Sequence, residues 1–145
     1  MSLGPARLER FARHIVLPEV GGAGQVRLAE SRVAVIGLGG IGSPALQYLA
    51  ASGIGRLALV DDDVVDVSNL QRQTIFTTRD VGYRKAVSAR RWLANFDDSL
   101  AVDVSDARIT PDNAAGLIAG AQLVLDGTDN FATRHAINRA CVQHR

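Results

Sequence analysis

The chain has 145 residues, of which 47% are hydrophobic and 21% charged, and a formal net charge of +1 at pH 7. It is about one domain long and has no general electrostatic attraction to nucleic acids or membranes, so we expect neither as a partner. The single cysteine, Cys141, excludes an internal disulfide framework. Residues 1–18 lack the apolar core of a signal peptide and no segment is apolar enough to span a membrane, so we expect a cytoplasmic protein.

Residues 1–30 are expected to form a helical extension ahead of the main domain. Apolar residues at helical spacing within 3–17 predict a short amphipathic helix. The glycine-rich run 20–24 predicts a hinge or connection, and residues 25–30 predict a further helical turn or two.

The main domain, predicted over 31–145, is organised around a glycine-rich turn. The apolar residues 33–36 predict a strand, and the chain continues through Gly37, Gly39 and Gly42 into a predicted helix. These three glycines have the spacing of a dinucleotide-binding turn. Backbone N–H groups at the start of the helix would bind phosphate there. A turn that serves only to reverse the chain is the alternative.

The second predicted strand, 56–60, ends at Asp61. A carboxylate about 20 residues past the glycines binds a ribose hydroxyl in dinucleotide sites; here it would be Asp61 or Asp62, and ATP would use it in the same way. A solvated turn is the alternative role for Asp61 and the two aspartates that follow it. Residues 62–82 show little periodicity, and a long loop at this end of a parallel strand predicts a functional element.

Helices and strands alternate in the remaining sequence. Apolar periodicity predicts helices over 83–96, 111–119 and 131–145, an edge strand over 101–105 and a buried strand over 123–125. Together the elements predict an α/β fold, a Rossmann-like, doubly wound and mainly parallel sheet in the order 3-2-1-4. Because the sequence stops in a helical pattern after four strands, we expect a C-terminal portion of the fold to be absent.

Several polar side chains downstream of the glycine turn distinguish a triphosphate from a dinucleotide. Arg72 and Lys85 can neutralise phosphate charge, and Asn69 adds neutral donors. Asp129 is placed to offer an oxygen ligand to Mg²⁺, or to share with Asn130 the N-cap of the last helix. Each of these residues taken alone is more often an ordinary surface residue, whereas the set favours ATP.

The ordered set of motifs resembles the ThiF/MoeB family, adenylyltransferases that activate ubiquitin-like sulfur carriers. The motifs are Gly37-Leu38-Gly39-Gly40-Ile41-Gly42, Asp61, Ser68-Asn69-Leu70-Gln71-Arg72-Gln73, Lys85 and Asp126-Gly127-Thr128-Asp129-Asn130. The resemblance implies that ATP is bound by Gly37, Gly39, Gly40, Gly42, Asp61, Ser68, Asn69, Arg72, Lys85, Asp129 and Asn130. It further implies catalytic roles for Arg72, Lys85 and Asp129, with Asp129 holding Mg²⁺.

The same resemblance has consequences for the assembly of the protein. Arg13 matches a family arginine that reaches into the ATP site of the neighbouring subunit, which implies a homodimer and a catalytic role for Arg13 across the interface. An exposed arginine on an amphipathic helix is the alternative. The paired cysteines that bind structural zinc in the family are not found in this sequence, so zinc is expected only in a further C-terminal portion.

The sequence thus predicts an ATP-dependent adenylyltransferase that acts on the C-terminal carboxylate of a ubiquitin-like sulfur carrier in molybdopterin, thiamin or related thio-cofactor synthesis. Two other functions stay open at this point. One is an NAD-dependent oxidoreductase domain built on the same glycine turn. The other is a non-catalytic nucleotide-binding or dimerisation fragment.

Overall fold

The computed structural model describes residues 3–144 and contains one four-stranded, all-parallel sheet. The order β3-β2-β1-β4 confirms the predicted order, and Val33 of the first strand lies opposite Leu57 and Leu123 of its two neighbours. The strands are β1 (Arg32–Ile36), β2 (Arg56–Val60), β3 (Ala101–Ser105) and β4 (Leu123–Asp126).

Helices cover both faces of the sheet, as expected for parallel strands joined by crossovers. They are α1 (Pro5–Arg10), α2 (Ala12–Ile15), α3 (Gly21–Glu30), α4 (Gly42–Ser52), α5 (Lys85–Phe96), α6 (Ala114–Leu117) and α7 (Phe131–Gln143). No helix among these described residues is long and apolar enough to cross a membrane. Arg145, the expected end of the last helix, lies outside the described residues.

Alternate residues of each central strand enter two separate cores. Val33 and Val35 of β1 pack with α4, α5 and the long connection that follows β2, which contributes Ile75 and Phe76. Ala34 and Ile36 pack on the opposite face with α6 and α7. The long connection is therefore part of the core and is ordered by it, although its sequence shows no periodicity.

The N-terminal region differs from prediction in two places. The helix expected over 3–17 is broken at Phe11, whose ring is buried while its backbone (φ −104°, ψ 15°) leaves the helical region. The glycine-rich run expected as a hinge instead forms the first turn of α3, with only Gly21 at a positive φ (59°). Burial of Gln25 on that helix supplies contacts that outweigh the low helix propensity of glycine.

The two ends of the parallel strands form two distinct surfaces of the molecule. The strands end at what is here termed the carboxyl edge, where the glycine turn and the first residues of α4 and α5 lie. They begin at the amino edge, where α4 and α5 end. Helices α1 to α3 pack at the amino edge, since Arg7 and Arg10 donate to the carbonyl oxygens of Gly53 and Phe96.

Candidate functional site

The glycine turn leaves no room for a side chain at two of its glycines, Gly37 and Gly42. Gly37 has φ 81°, and its N–H donates to the Val60 carbonyl oxygen (2.8 Å). A Cβ placed on Gly42 would lie 1.8 Å from the carbonyl oxygen of Gly37. A Cβ on Gly37 would lie 3.1 Å from the backbone of Gly127, the residue after β4. Gly37 and Gly42 thus meet the geometric requirements of a turn that brings β1, α4 and β4 together, whereas a Cβ on Gly39 would be no closer than 3.9 Å to any residue but its chain neighbours.

A cleft of about 520 Å³ opens over this turn at the carboxyl edge. One wall comes from the long connection and the start of α5, and the other from the loop after β3 and the start of α7. The first wall contains Asn69, Arg72, Gln73 and Lys85, and the second contains Ala107, Arg108, Ile109, Thr133 and Arg134. The floor includes Gly37, Gly39, Gly40, Asp61 and Asp129.

Asp61 lies at the end of β2 with only 8% of its surface exposed. Its carboxylate accepts hydrogen bonds from the backbone N–H groups of Leu38 (2.6 Å) and Asp63 (2.8 Å). Burial raises the pKa of Asp61, although these two hydrogen bonds and the ammonium of Lys85 act in the opposite direction. Each carboxylate oxygen has a second lone pair, so Asp61 can still accept a hydroxyl from a ligand.

The two predicted cations enter the cleft from different parts of the chain, Lys85 from helix α5 and Arg72 from the long connection. Lys85 is buried at the first position of α5, and its Nζ lies 3.0 Å from a carboxylate oxygen of Asp63. Arg72 is exposed and extends over Gly40, where a Cβ would be 3.4 Å from its Cδ and Nε. The guanidinium of Arg72 donates to the carbonyl oxygen of Ser68 (3.1 Å). Both charges can therefore act on a phosphate held at the turn.

Ser68 and Asn69 serve the shape of the connection. Asn69 lines the cleft, but its side-chain oxygen accepts from the Asp66 N–H (3.3 Å) in a reciprocal capping arrangement. Ser68 does not line the cleft, and its carbonyl oxygen holds Arg72. Direct contact of a ligand with Ser68 stays a prediction from the resemblance.

Asp129 and Asn130 follow β4. The sequence predicted two roles here, an oxygen ligand for Mg²⁺ and the N-cap of the last helix. Asn130 is the N-cap of α7, accepting from the Thr133 N–H (2.8 Å), whereas Asp129 is exposed and faces the cleft. Asp129 is thus available for a ligand. Among the described residues, the acidic groups close enough together to share a metal ion are Asp61, Asp62 and Asp63, within 4.8 Å of one another.

Arg13 does not line the cleft of its own chain. It is exposed on α2, next to His14, whose Nδ1 lies 3.3 Å from the side-chain oxygen of Gln25. Gln25 in turn donates to the Ser52 carbonyl oxygen at the end of α4, which places this region at the amino edge. Any contact of Arg13 with a nucleotide would therefore have to involve another subunit.

The residues that line the cleft but were not among the predicted site residues include Gln73, Arg108 and Arg134. Gln73 is 2% exposed in the first wall, and Arg108 and Arg134 belong to the second. Arg134 donates from Nε and one terminal nitrogen to the carbonyl oxygen of Thr128 (3.0 and 2.6 Å). The pattern around the glycines could not locate the arginines, because the loop after β3 and the helix after β4 meet only in the folded chain. Gln73 directly follows Arg72 and was visible in the motif.

Comparison with known proteins places the chain in a family. Residues 11–145 match the ThiF family. The chain belongs to the ThiF family. It is 47% identical over 141 residues to the SAMP-activating enzyme E1 of Haloferax volcanii, a match that covers 97% of this chain and 52% of that protein. It is 44% identical over 133 residues to the sulfur carrier protein ThiS adenylyltransferase of Escherichia coli, covering 92% and 53% respectively.

Solved structures with the ThiF-like fold agree with this family assignment. The tRNA N6-threonylcarbamoyladenosine dehydratase TcdA of E. coli, in its complex with ATP, superposes with a TM-score of 0.90 at 30% sequence identity. The match covers 99% of this ThiF-family chain and 58% of TcdA. This chain thus spans a little over half the length of these three proteins.

Proposed function

We propose that this chain is the ATP-binding part of an adenylyltransferase that activates the C-terminal carboxylate of a ubiquitin-like sulfur-carrier protein in the cytoplasm. The observation that carries the proposal is the cleft, in which the glycine turn, Asp61, Arg72 and Lys85 meet at one edge of the sheet. Relatives named for SAMP activation and for ThiS adenylylation support a carrier as the substrate. The pathway would be molybdopterin, thiamin or related thio-cofactor synthesis.

The residues present fit ATP. The turn offers backbone N–H groups, with the side chain of Arg72 lying over Gly40, and Asp61 retains acceptor capacity for a ribose hydroxyl. Four cations line the cleft, Arg72 and Lys85 in one wall and Arg108 and Arg134 in the other, together with the carboxylates of Asp61, Asp62, Asp63 and Asp129. A triphosphate needs more neutralisation than a dinucleotide pyrophosphate, so these cations favour ATP over NAD.

The chemistry needs alignment and charge neutralisation more than a general base. The carrier's terminal carboxylate, with an ordinary pKa of about 3.5, is ionised at neutral pH and can attack the α-phosphorus directly. A bond forms between the carboxylate oxygen and this phosphorus as the bond to the bridging oxygen of pyrophosphate breaks. Arg72 and Lys85 would stabilise the charge that pyrophosphate carries away. The absence of a nucleophile or base from the proposed set agrees with such a reaction.

The proposal assigns Mg²⁺ to Asp129. Its carboxylate is exposed at the cleft, while the neighbouring Asn130 makes the helix cap, so Asp129 has its oxygens free for a hard cation. Mg²⁺ would supply charge neutralisation for the phosphates when it is bound.

The proposal also includes a homodimer in which Arg13 completes the partner's site. Its support is the position of α2 at the amino edge, from which Arg13 does not reach the cleft of its own chain. Residues 1–30 would then form the dimer arm and residues 31–145 the nucleotide-binding domain.

Two measurements test the proposal. Calorimetric titration should show that Mg-ATP binds and that NAD binds at least tenfold more weakly. In a longer form comparable in length to the relatives, ATP–pyrophosphate exchange should depend on a carrier protein ending in glycine and should fall in Arg72→Ala and Lys85→Ala. Tighter binding of NAD, or exchange unaffected by both substitutions, would contradict the proposal.

TcdA, named as a tRNA N6-threonylcarbamoyladenosine dehydratase, points to a second substrate class for the same site. The carrier is favoured because identity to the carrier-activating relatives is 44–47%, against 30% to TcdA. Exchange stimulated by tRNA carrying that modification, and not by a carrier, would reverse this preference.

A further inference from the structure

Arg84 connects the two walls of the cleft at one end, although neither Arg84 nor its acidic partner Asp106 lines the cleft. Nε of Arg84 lies 2.7 Å from a carboxylate oxygen of Asp106, in the loop after β3. A terminal nitrogen of Arg84 donates to the carbonyl oxygen of Asp62 (2.6 Å), at the start of the long connection. A single planar guanidinium, on the residue just before Lys85, thus joins the segments that follow β2 and β3.

The backbone of Arg84 is fixed in the position that these two contacts require. Arg84 pairs with Val64 of the long connection in an isolated antiparallel bridge. The N–H of the next residue, Lys85, donates to the Asp63 carbonyl oxygen (3.0 Å). The side chain of Arg84 therefore extends from an ordered backbone, which lowers the entropic cost of holding two partners at once.

The loop after β3 is attached at both ends, and residues 107–109 between the attachments line the cleft. At the far end, the side chain of Asn113 donates to the Arg108 carbonyl oxygen (2.9 Å). At the near end, Asp106 is held by Arg84. The contact with Arg84 therefore helps to determine how closely this part of the second wall approaches the first.

The sheet order indicates which part of a nucleotide this end of the cleft would receive. The glycine turn follows β1, Asp61 follows β2 and the loop after β3 comes next, with neighbouring strands about 4.8 Å apart. A nucleotide with its phosphates at the turn and a ribose hydroxyl at Asp61 would extend its base towards the loop after β3. The segments joined by Arg84 would then lie beside the nucleoside, and the phosphates would lie at the other end of the cleft.

We infer that Arg84 is a positioning residue, which holds the loop after β3 at the nucleoside end of the cleft through its pair with Asp106. The inference rests on the proposed function, because it needs ATP in the cleft. Arg84 then contributes to ATP binding without touching the nucleotide, by restricting loop motion that binding would otherwise have to arrest.

The substitution Arg84→Met tests this inference, since it keeps a long side chain and removes both contacts. The accessible fractions of the Arg84 and Asp106 side chains are 48% and 36%, so the loss of their pair should have a modest effect. We expect the Kd for Mg-ATP, measured by calorimetry, to rise about fivefold, and the Kd for inorganic tripolyphosphate to stay within twofold of wild type. A role for Arg84 in stability alone would not divide the two ligands in this way.

Asp106→Ala separates positioning from a direct effect of charge, and it also serves if Arg84→Met does not fold. Removal of a carboxylate near the cleft should strengthen the binding of an anionic nucleotide if charge alone matters. If Asp106 acts by holding the loop, the Kd for Mg-ATP should instead rise about fivefold. The double variant should bind Mg-ATP within twofold as tightly as Arg84→Met, because both substitutions break the same pair.

Arg56→Met is the matched control. Arg56 pairs with Asp103 (3.6 Å), in a comparably exposed ion pair that also joins β2 to β3 but lies outside the cleft. Its loss should leave the Kd for both ligands within twofold of wild type. The unfolding temperature should change by a similar small amount in Arg56→Met and Arg84→Met.

The outcomes separate the two proposals. If the wild-type chain binds Mg-ATP and Arg84→Met binds it within twofold as tightly, the Arg84 assignment fails and the proposed function stands. Equal weakening of Mg-ATP and tripolyphosphate binding in Arg84→Met, or tighter Mg-ATP binding in Asp106→Ala, also overturns the assignment, since Arg84 would then act through its charge. If the wild-type chain binds no Mg-ATP, both proposals fail.

Discussion

Two buried aspartates, one at the amino edge of the sheet and one at the carboxyl edge, have pKa values shifted in opposite directions. At the amino edge, Asp97 accepts hydrogen bonds from the backbone N–H and hydroxyl of Ser99 and pairs with Arg7 and Arg10. Burial opposes ionisation there, but these partners outweigh it and lower the pKa of Asp97. At the carboxyl edge, burial dominates and raises the pKa of Asp61.

The difference indicates what each edge is for. The amino edge joins α1 to α3 to the sheet, and the carboxylate of Asp97 is satisfied there by the chain itself, although Nε of Arg7 and Nε of Arg32 are buried at this edge without a hydrogen-bond partner among residues 3–144. The carboxyl edge retains Asp61 with a raised pKa and Gln73 with an unpaired oxygen, both in the wall or floor of the cleft. Groups that a fold leaves poorly satisfied in a cleft are candidates for ligand contacts. Variants at the two edges should therefore separate binding from stability.

The largest effect is expected for Lys85→Met. Removing the buried ammonium should raise the Kd for Mg-ATP by about tenfold to 100-fold, because a charge-assisted hydrogen bond to phosphate is lost. The free energy of unfolding should change little, since Met has a similar volume and Asp63, the partner of Lys85, is largely exposed. Calorimetry and urea unfolding measure the two effects.

Arg91→Met is the control for this substitution on the same helix. Arg91 pairs with Asp80 and lies outside the cleft, so its loss should leave the Kd for Mg-ATP within twofold of wild type. Equal effects of the two substitutions on Mg-ATP binding would remove the basis for assigning Lys85 to the site.

The second-largest effect, on the free energy of unfolding, is expected for a substitution at the amino edge. In Gly53→Ala, the new Cβ would lie 2.4 Å from Gln25 Nε2 and 2.8 Å from Phe11 Cζ, at a φ of 89°. We expect the free energy of unfolding to fall by about 2 kcal/mol while the Kd for Mg-ATP stays within twofold of wild type.

Gly82→Ala is the control for Gly53→Ala. Gly82 has a φ of 85°, but no atom lies within 4 Å of a Cβ placed on it, so only backbone strain of about 1 kcal/mol applies. A change in Mg-ATP affinity in Gly53→Ala would show that the edges are coupled.

The pH dependence of stability should have opposite signs at the two edges. The pKa of Asp97 is lowered from 3.8, so its contribution is present above that value and lost as pH falls through the folded-state pKa. The pKa of Asp61 is raised, so its titration favours the fold below 3.8, and that contribution is lost as pH rises through the folded-state pKa.

Urea unfolding of two variants at pH 7 and pH 3 checks these signs. Relative to Asp97→Asn, the stability advantage of wild type should shrink at pH 3, which lies below the unfolded-state pKa of 3.8. Relative to Asp61→Asn, the stability of wild type should improve at pH 3. Changes of the same sign in both comparisons would contradict the contrast between the edges.

The smallest effects are expected at two adjacent residues after β4. Asn130→Ala removes the N-cap of α7 and should cost about 1 kcal/mol of unfolding free energy without changing the Mg²⁺ requirement. Asp129→Asn should stay within about 0.5 kcal/mol of wild type in stability but require more Mg²⁺ for ATP binding. An unchanged Mg²⁺ titration in Asp129→Asn would withdraw the metal assignment.

Local patterns were sufficient for much of the fold and part of the site. Apolar runs and their spacing predicted the four strands and their order, because parallel strands buried on both faces have a strong hydrophobic signal. The prediction failed at Phe11, where burial of one ring breaks the helix, and at the glycines of α3, where tertiary contacts override propensity. Neither event has a local signal of sufficient strength.

The sequence by itself determined the glycine turn, since Gly42 is required by the close approach of the Gly37 carbonyl oxygen within one strand-turn-helix unit, and Gly37 by its positive φ of 81°. It also determined the motifs on which the family resemblance rests. Only the tertiary structure decided which neighbours face that turn. Gln73, Arg108 and Arg134 line the cleft over the turn from the long connection, the loop after β3 and helix α7, which the sheet order β3-β2-β1-β4 brings to one edge. Whether a buried polar group is satisfied depends on such distant partners, and for this reason the difference between Gln25, which is hydrogen-bonded to Ser52, and Gln73 is a property of the fold.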